Sequence, residues 1–278
     1  MRLDTVIADA TDRLAEVSDS ARLDAEILLC QTIDMPRSYL FAHPEDELDD
    51  LTRERFEALM RRRLSGEPMS YITGTQEFWS RELLVSSATL VPRPETELLV
   101  ELALRKIPRE AEWQILDLGT GSGAIAISIA GERPLCSITA TDDSARALNV
   151  ARENVRQANL ANVVCLEGSW TEPLAGRRFN IIVSNPPYVR EDDVALRTLT
   201  HEPLSALASG EDGLDDIRFL ASDCRAILAD DGWLMLEHGA DQQEGVARIL
   251  EAAGWIGITC HNDLAGRPRV TVGRRNGK

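Results

Sequence analysis

The sequence predicts an α/β fold: a mostly parallel sheet of seven strands covered by helices on both faces, preceded by a small N-terminal helical domain and a β-hairpin. Three observations carry this expectation. From residue 113 onward, short apolar, β-branched runs alternate with helical patterns, as strand–helix–strand units require. The first of those runs ends in the glycine-rich turn DLGTGSG. Residues 1–70, by contrast, show helical spacing.

Within residues 1–70, Leu23, Ile27 and Cys30 fall at i, i+4 and i+7, with Leu28 alongside; Phe56, Leu59, Met60 and Leu64 repeat the spacing. Pro36 and Pro44 punctuate the region. The run Arg61, Arg62, Arg63 reads as a solvated helix end, favourable near the negative pole of the helix dipole. Residues 71–94 mix aromatics, β-branched residues and turn formers, which predicts a β-hairpin or extended connector. Pro92 and Pro94 stiffen the chain ahead of a helix over 98–104.

Residues 95–278 form the main domain. Its strands are QILDLG, SITATD, VVCLEG, FNIIVSN, WLMLEHG, ITCHND and RVTVGR. Between them lie helices through AIAISIA, over 214–228 and over 246–253, and one capped by Ser144 with Leu148, Ala151 and Val155 on one face. Ligands of such sheets bind at the carboxyl ends of the strands.

An apolar share of 44% over 278 residues is enough for a sizeable core. The net charge of −16 repels phosphate backbones, so direct nucleic-acid binding is not expected and a basic protein partner is favoured. No apolar stretch approaches the ~18 residues of a membrane span, and the first twenty residues lack a signal core. The expectation is a cytoplasmic protein without membrane contact. The five cysteines are scattered and form no C-x-x-C pair, and the four histidines show no ligand spacing. Neither a metal site nor a disulfide framework is expected; the cysteines read as small buried hydrophobes.

The first strand ends Asp117, Leu118, Gly119, Thr120, Gly121, Ser122, Gly123. Alternate glycines let the chain turn sharply and bring backbone close to a ligand, and the next helix points free N–H groups at the same spot. Asp142 closes the second strand, where an acid accepts hydrogen bonds from the ribose hydroxyls of an adenosine. Gly119-x-Gly121-x-x-Ala124 also fits a dinucleotide fingerprint. Asp117 favours S-adenosylmethionine, whose ammonium it would welcome; it would repel a pyrophosphate. Trp170, after the third strand, suits stacking on an adenine and equally suits a packed core or rim.

The fourth strand ends Asn185, Pro186, Pro187, Tyr188. Two prolines fix φ and remove two N–H donors, which frees the Pro186 carbonyl for a ligand. Asn185 adds a second acceptor through its side-chain oxygen. Two adjacent acceptors suit an NH₂ group. An amide nitrogen is a poor nucleophile because its lone pair is delocalised; accepting both its hydrogens favours a pyramidal nitrogen facing a methyl donor. Tyr188 supplies an aromatic wall for the planar group. A rigid strand-ending turn is the plain alternative. Hydride transfer has no use for two such acceptors.

The segments GEPMSYITGTQEFW, LVPRPETE, ILDLGTGSGAIAISIA, TATDDSARALNVARENV, IIVSNPPYV, EPLSALASGEDGL, LMLEHG and RVTVGR run along nearly the whole chain. Through them the sequence resembles the HemK/PrmC family of release factor glutamine methyltransferases. The Asn-Pro-Pro-Tyr element is shared with adenine and cytosine amino-methyltransferases, whereas the GEP…YITG…EFW and PRPETE segments are far more specific. The resemblance implies a Rossmann-like class I methyltransferase domain behind a partner-recognising helical domain. It also implies methyl transfer from S-adenosylmethionine to the side-chain amide nitrogen of the glutamine in the Gly-Gly-Gln motif of class I peptide chain release factors, leaving S-adenosylhomocysteine. Carried over by position, Gly119, Thr120, Gly121, Ser122, Gly123, Asp142, Trp170 and Asn185 would hold the cofactor. Asn185, Pro186, Pro187 and Tyr188 would hold the glutamine, with Asn185, Pro186 and Tyr188 taking the catalytic part. Phe78, Arg93 and Glu95 fall in segments that lie near the family's active site; Phe78 and Trp79 equally fit a hairpin core. The departures are small: a histidine before Glu202 and Pro203, and the pair Asp142, Asp143. A nucleic-acid amino-methyltransferase, acting on adenine N6 or cytosine N4, is the alternative enzyme and would want a basic stripe, which the sequence lacks. A non-enzymatic binding module would want a broken cofactor loop or a lost Asn185, and both are intact. A monomer is expected.

Overall fold

The structure, a computed structural model, describes residues 1–277; Lys278, the last residue of the expected main domain, lies outside the described residues. The chain divides into two compact units, Met1–Thr75 and the remainder from Gln76 onward.

The first unit is all helical: α1 (Leu3–Leu14), α2 (Ala21–Ile33), α3 (Arg37–Ala42), α4 (Asp50–Leu64) and α5 (Met69–Thr73). Asp49 caps α4 by accepting from the Thr52 N–H at 2.7 Å. Leu3, Val6, Ala10 and Leu14 line one face of α1 and meet Leu28, Leu29, Phe56 and Met60 in a single core. The face of α2 differs from the expected one. Ala25, Leu28 and Leu29 are buried, whereas Leu23 is 40% exposed and Ile27 and Cys30 are only partly covered. Apolar residues at two overlapping helical spacings made either face available, and packing against α1 and α4 selects one. The arginine run also departs from a purely solvated end. Arg63 donates to buried Asp24 at 2.8 Å and Arg62 to Glu67 at 2.6 Å, so two of the three charges are spent inside the unit.

The chain enters the second unit at the hairpin β1 (Thr75–Phe78) and β2 (Arg81–Leu84), of which only Thr75 belongs to the first unit, followed by a short turn, Pro94–Thr96, and α6 (Glu97–Lys106). Then come β3 (Gln114–Leu118), α7 (Ala124–Glu132), β4 (Ser137–Asp142), α8 (Ala145–Gln157), β5 (Val163–Glu167), β6 (Phe179–Ser184), α9 (Asp215–Ile227), β7 (Leu228–Glu237), α10 (Gln243–Ala252), β8 (Ile256–Asn262) and β9 (Pro268–Arg274). Residues 71–94 are therefore not one connector: 71–73 complete a helix, and the hairpin packs as part of the larger unit. Its Phe78 and Leu83 join the core beneath α6 and α7.

The sheet order is β5-β4-β3-β6-β7-β9-β8. β3, β4, β5, β6 and β7 run parallel, and only β9 pairs antiparallel with β7 and β8. The seven strands are the seven runs expected. Alternation within them splits the core: Ile115, Ile181, Val183 and Met235 face one helical layer, and Leu116, Leu118, Ile182, Leu234 and Leu236 the other. Successive strands β3, β4 and β5 extend the sheet one way, and β6 returns to the other side of β3. The switch point thus falls between β3 and β6, where a crevice opens at their carboxyl ends.

Buried Asn154 on α8 ties the hairpin to that crevice. Its oxygen accepts from the Leu84 N–H at 2.7 Å, and its amide donates to the carbonyls of Leu84 at 2.9 Å and Ser122 at 2.8 Å. Asn154→Ala leaves all three groups without this partner; a loss of roughly 2–3 kcal/mol is expected, read as a fall in the denaturant midpoint with an unchanged slope.

Candidate functional site

A cavity opens at the carboxyl edge, lined by Gly119, Gly121, Asp142, Trp170 and Asn185 among others. The loop after β3 is built around left-handed backbone: φ is +69° at Gly119, +57° at Gly121 and +85° at Gly123, values a side chain would strain. A Cβ on Gly119 would come within 3.4 Å of the Trp170 ring, while one on Gly121 would meet nothing within 4 Å. The loop therefore presents bare backbone to the cavity, with Trp170 lying against its first glycine. Thr120 and Ser122 also line the cavity; Gly123 does not, serving as the left-handed entry to α7.

Asp142 accepts from the Gly121 N–H at 2.8 Å and the Ser144 N–H at 3.0 Å, one on each oxygen. Each oxygen keeps a lone pair for a diol. Ser144 caps α8 through the Ala147 N–H at 3.2 Å, as expected. Asp117 is fully buried and, against expectation, is not among the residues lining the cavity. Its Oδ2 accepts from the Thr120 hydroxyl at 2.6 Å and the Ala126 N–H at 3.2 Å, but its Oδ1 has no donor. Burial pushes this carboxyl up to about 7 against the help of those two donors. A cation reaching Oδ1 would complete its shell. These residues fit S-adenosylmethionine: an orphaned carboxylate oxygen for an ammonium, a ribose acceptor, and a bare glycine cradle.

Across the switch point, Asn185 follows β6. Its Nδ2 donates to the Thr96 hydroxyl at 3.2 Å, and its Oδ1 is buried without a donor. Pro187 lines the cavity; Pro186 is buried beside it, and among the described residues its carbonyl accepts no hydrogen bond. Tyr188 stands otherwise than expected. It does not line the cavity; its N–H donates to the Leu207 carbonyl at 3.1 Å and its hydroxyl to Glu237 at 3.3 Å. Burial, with the Glu237 charge, pushes its phenol well up. Phe78 is buried in the core of the second unit and is no wall of the cavity. Arg93 and Glu95 lie outside the lining as well. Arg93 is held by an ion pair to buried Glu202, which also accepts from the Val91 N–H at 3.0 Å.

Sequence reasoning missed Thr96, Glu202, Asp216 and Glu237. Thr96 and Asp216 line the cavity. Burial raises the Asp216 carboxyl, against hydrogen bonds from Ser209 and Trp170. The available signal was an ionisable residue closing an apolar strand, as Glu237 closes WLMLE.

A glycine loop on β3, an acid closing β4 and an acceptor following β6, around a sheet of this order, define a class I methyltransferase. Family models match over residues 5–74, as the PrmC N-terminal domain, and 94–210, as the methyltransferase small domain. A release factor glutamine methyltransferase of Xylella fastidiosa is 47% identical, over 97% of this chain and 96% of its own. One from Coxiella burnetii is 44% identical over 95% and 96%. A methyltransferase structure from Pyrococcus furiosus shares the fold, with a TM-score of 0.55 at 16% identity over 79% of this chain and 99% of its own. The chain belongs to the release factor glutamine methyltransferase family. No helix among the described residues is long and apolar enough to cross a membrane.

Because the folded Asp117 carboxyl sits near 7 and its unfolded value near 3.8, the folded state holds the proton more tightly between those limits. Stability is therefore lost as pH rises from about 4 to about 7. Asp117→Asn removes this dependence. In ligand-free protein, its stability advantage over wild type should grow between pH 5 and pH 8, measured by denaturant titration at both.

Proposed function

We propose that this chain transfers the methyl group of S-adenosylmethionine to the side-chain amide nitrogen of the glutamine in the Gly-Gly-Gln motif of class I release factors. The observation that carries the reading is the donor-free Asn185 Oδ1 next to the bond-free Pro186 carbonyl. Two acceptors without partners call for an NH₂ group. The family relatives, aligned along nearly the full chain, supply the substrate class.

The cofactor supplies an electrophilic methyl on a sulfonium. Asp117 would take its ammonium, Asp142 its ribose hydroxyls and Trp170 its adenine, with the backbone of Gly119, Gly121 and Gly123 shaping the cradle beside Thr120 and Ser122. Asn185 and Pro186 would accept the two amide hydrogens, drawing positive charge off the nitrogen and turning its lone pair toward the methyl. Pro187 walls the site and Tyr188 anchors the turn through its hydroxyl. Bound in this way, the donor would supply the methyl and leave as S-adenosylhomocysteine, and the methylated nitrogen would give up its extra proton to solvent. No strong base is needed. The helical unit would provide a second recognition surface; Phe41 and Leu51, 62% and 60% exposed, are candidates for it. The chain is proposed to act as a cytoplasmic monomer.

Purified protein, S-adenosylmethionine and an unmethylated class I release factor should give a single added methyl on the Gly-Gly-Gln peptide by mass analysis. Asn185→Ala should cut turnover by roughly 100-fold or more while the protein still binds cofactor in calorimetry. Transfer to DNA or RNA instead, with none to release factor, would leave the nitrogen chemistry and overturn the substrate.

A further inference from the structure

Gln242 stands at the start of α10. It is buried, yet it neither lines the cavity nor caps its helix through its side chain. An N-cap position ordinarily carries Ser, Thr, Asp or Asn, whose short side chain accepts from the first turn. Gln242 uses its amide elsewhere. Its Oε1 accepts from the Gly239 N–H at 2.8 Å, and its Nε2 donates to the Tyr188 carbonyl at 2.9 Å, with the Gly213 and Asp212 carbonyls at 3.3 and 3.4 Å. Gly213 packs against the same pair. Its φ is +74°, and a Cβ there would fall 2.3 Å from the Tyr188 oxygen and 2.8 Å from Gln242 Nε2.

The two prolines explain why the turn after β6 needs an outside grip. Neither Pro186 nor Pro187 has an N–H, and both rings fix φ. The peptide plane that carries the Pro186 carbonyl therefore cannot be held through its own nitrogen, and its direction follows from the two ends of the turn. Upstream, Ser184 lies in the sheet between Leu118 and Leu236, and its hydroxyl donates to the Leu118 carbonyl at 2.8 Å. Downstream, the N–H groups of Tyr188 and Val189 donate to the Leu207 carbonyl at 3.1 and 2.8 Å. Gln242 holds the group between them, the Tyr188 carbonyl. The Gly239 N–H decides which end of the Gln242 amide faces that carbonyl. A donor must meet the amide oxygen, which leaves the NH₂ end for Tyr188.

Resting on the proposed amide chemistry, we infer that Gln242 is a positioning residue: it grips the Tyr188 carbonyl and thereby aims the Pro186 carbonyl at the substrate NH₂. Without the grip the prolines and the cavity lining stay in place, but one of the two acceptors is free to swing off the reacting nitrogen. The expected signature is lost turnover with cofactor binding retained. The ionisable groups around Gln242 have partners of their own or face solvent. Asp212 pairs with Arg218, and the Tyr188 hydroxyl donates to Glu237 at 3.3 Å. The His238 ring is engaged by the Gly239 carbonyl and the Thr271 hydroxyl, each at 2.8 Å, and Asp241 is exposed.

Two readouts test the inference. The first is kcat for release-factor methylation with both substrates saturating, across pH 5.5–9, with calorimetric cofactor affinity measured beside it. Gln242→Met, similar in length but without a donor, should lower kcat roughly 10- to 100-fold and leave cofactor affinity within about threefold. Gln242→Glu has a donor only when its carboxyl is protonated: the O–H then meets the Tyr188 carbonyl while the other oxygen keeps the Gly239 N–H. Burial among carbonyls raises such a carboxyl. The kcat of Gln242→Glu, taken relative to wild type at the same pH, should therefore climb roughly tenfold as pH falls across that range, while the Gln242→Met ratio stays flat. The second readout needs no substrate: backbone hydrogen exchange of the 185–190 segment by mass analysis. The prolines contribute no signal, so Tyr188 and Val189 dominate it, slow in wild type and faster in Gln242→Met. A wild type and Gln242→Met that exchange as expected, with no methylation of release factor by wild type, overturn the proposed substrate and leave the grip standing. A Gln242→Met enzyme with wild-type kcat overturns the positioning role. So does cofactor affinity that falls in step with kcat. Should Gln242→Met fail to fold, the Gln242→Glu profile decides: a kcat ratio that does not rise at low pH overturns the role.

Discussion

Three buried oxygens without donors sit on neighbouring strands of one sheet: Asp117 Oδ1 on β3, Asn185 Oδ1 after β6 and Glu237 Oε2 on β7. Each unpaired polar atom costs roughly 1–3 kcal/mol, so the rest of the fold must carry that cost. Two apolar layers do so. The strands that deliver these oxygens alternate between them, with Ile115, Ile181 and Met235 under one set of helices and Leu116, Ile182 and Leu236 under the other. Parallel pairing then brings the strand ends level, and the glycine loop keeps side chains out of the space they surround. The crevice exists because the strand order reverses between β3 and β6.

The helical unit treats buried charge in the opposite way. Asp24 receives the Ser18 and Ser20 hydroxyls and the Arg63 guanidinium. Glu26 is gripped by Arg22 and Arg37, and although burial pushes its carboxyl up, the two arginines outweigh it and the net shift is down. Fully partnered acids of this kind hold a fold together. Asp117 and Glu237 are buried as deeply and left incomplete, each pushed up to about 7. Within one chain, completed shells and shells left one oxygen short thus occur side by side.

All seven strands were legible because each is a short apolar run bounded by turn formers; Gly119, Asp142 and Asn185 follow or end such runs and line the cavity. The buried face of α2 was not, since Leu23–Ile27 spacing and Ala25–Leu28–Leu29 spacing both satisfy a helical period. Tyr188 was expected as an aromatic wall, and Phe78 either near the site by resemblance or in a hairpin core; packing puts Phe78 in the core and ties Tyr188 to Glu237. Thr96, Glu202 and Glu237 escaped because their importance is pairwise. Glu202 matters through Arg93, more than a hundred residues away, and no periodicity records such a distance.

The two unpartnered acceptors that follow β6, Asn185 Oδ1 and the Pro186 carbonyl, have a chemical corollary. A row that ends in lone pairs tolerates a group bearing hydrogens and repels one that does not. A glutamine that has hydrolysed to glutamate keeps its length and shape but offers only oxygens, two further acceptors facing two that are already in place. Rejection of such a damaged side chain requires no added contact, because unmatched acceptors in a dry site discriminate far more steeply than a change of size. On the proposed reading, the unpaired Asn185 oxygen that weakens the empty fold would therefore also turn away a side chain damaged by deamidation.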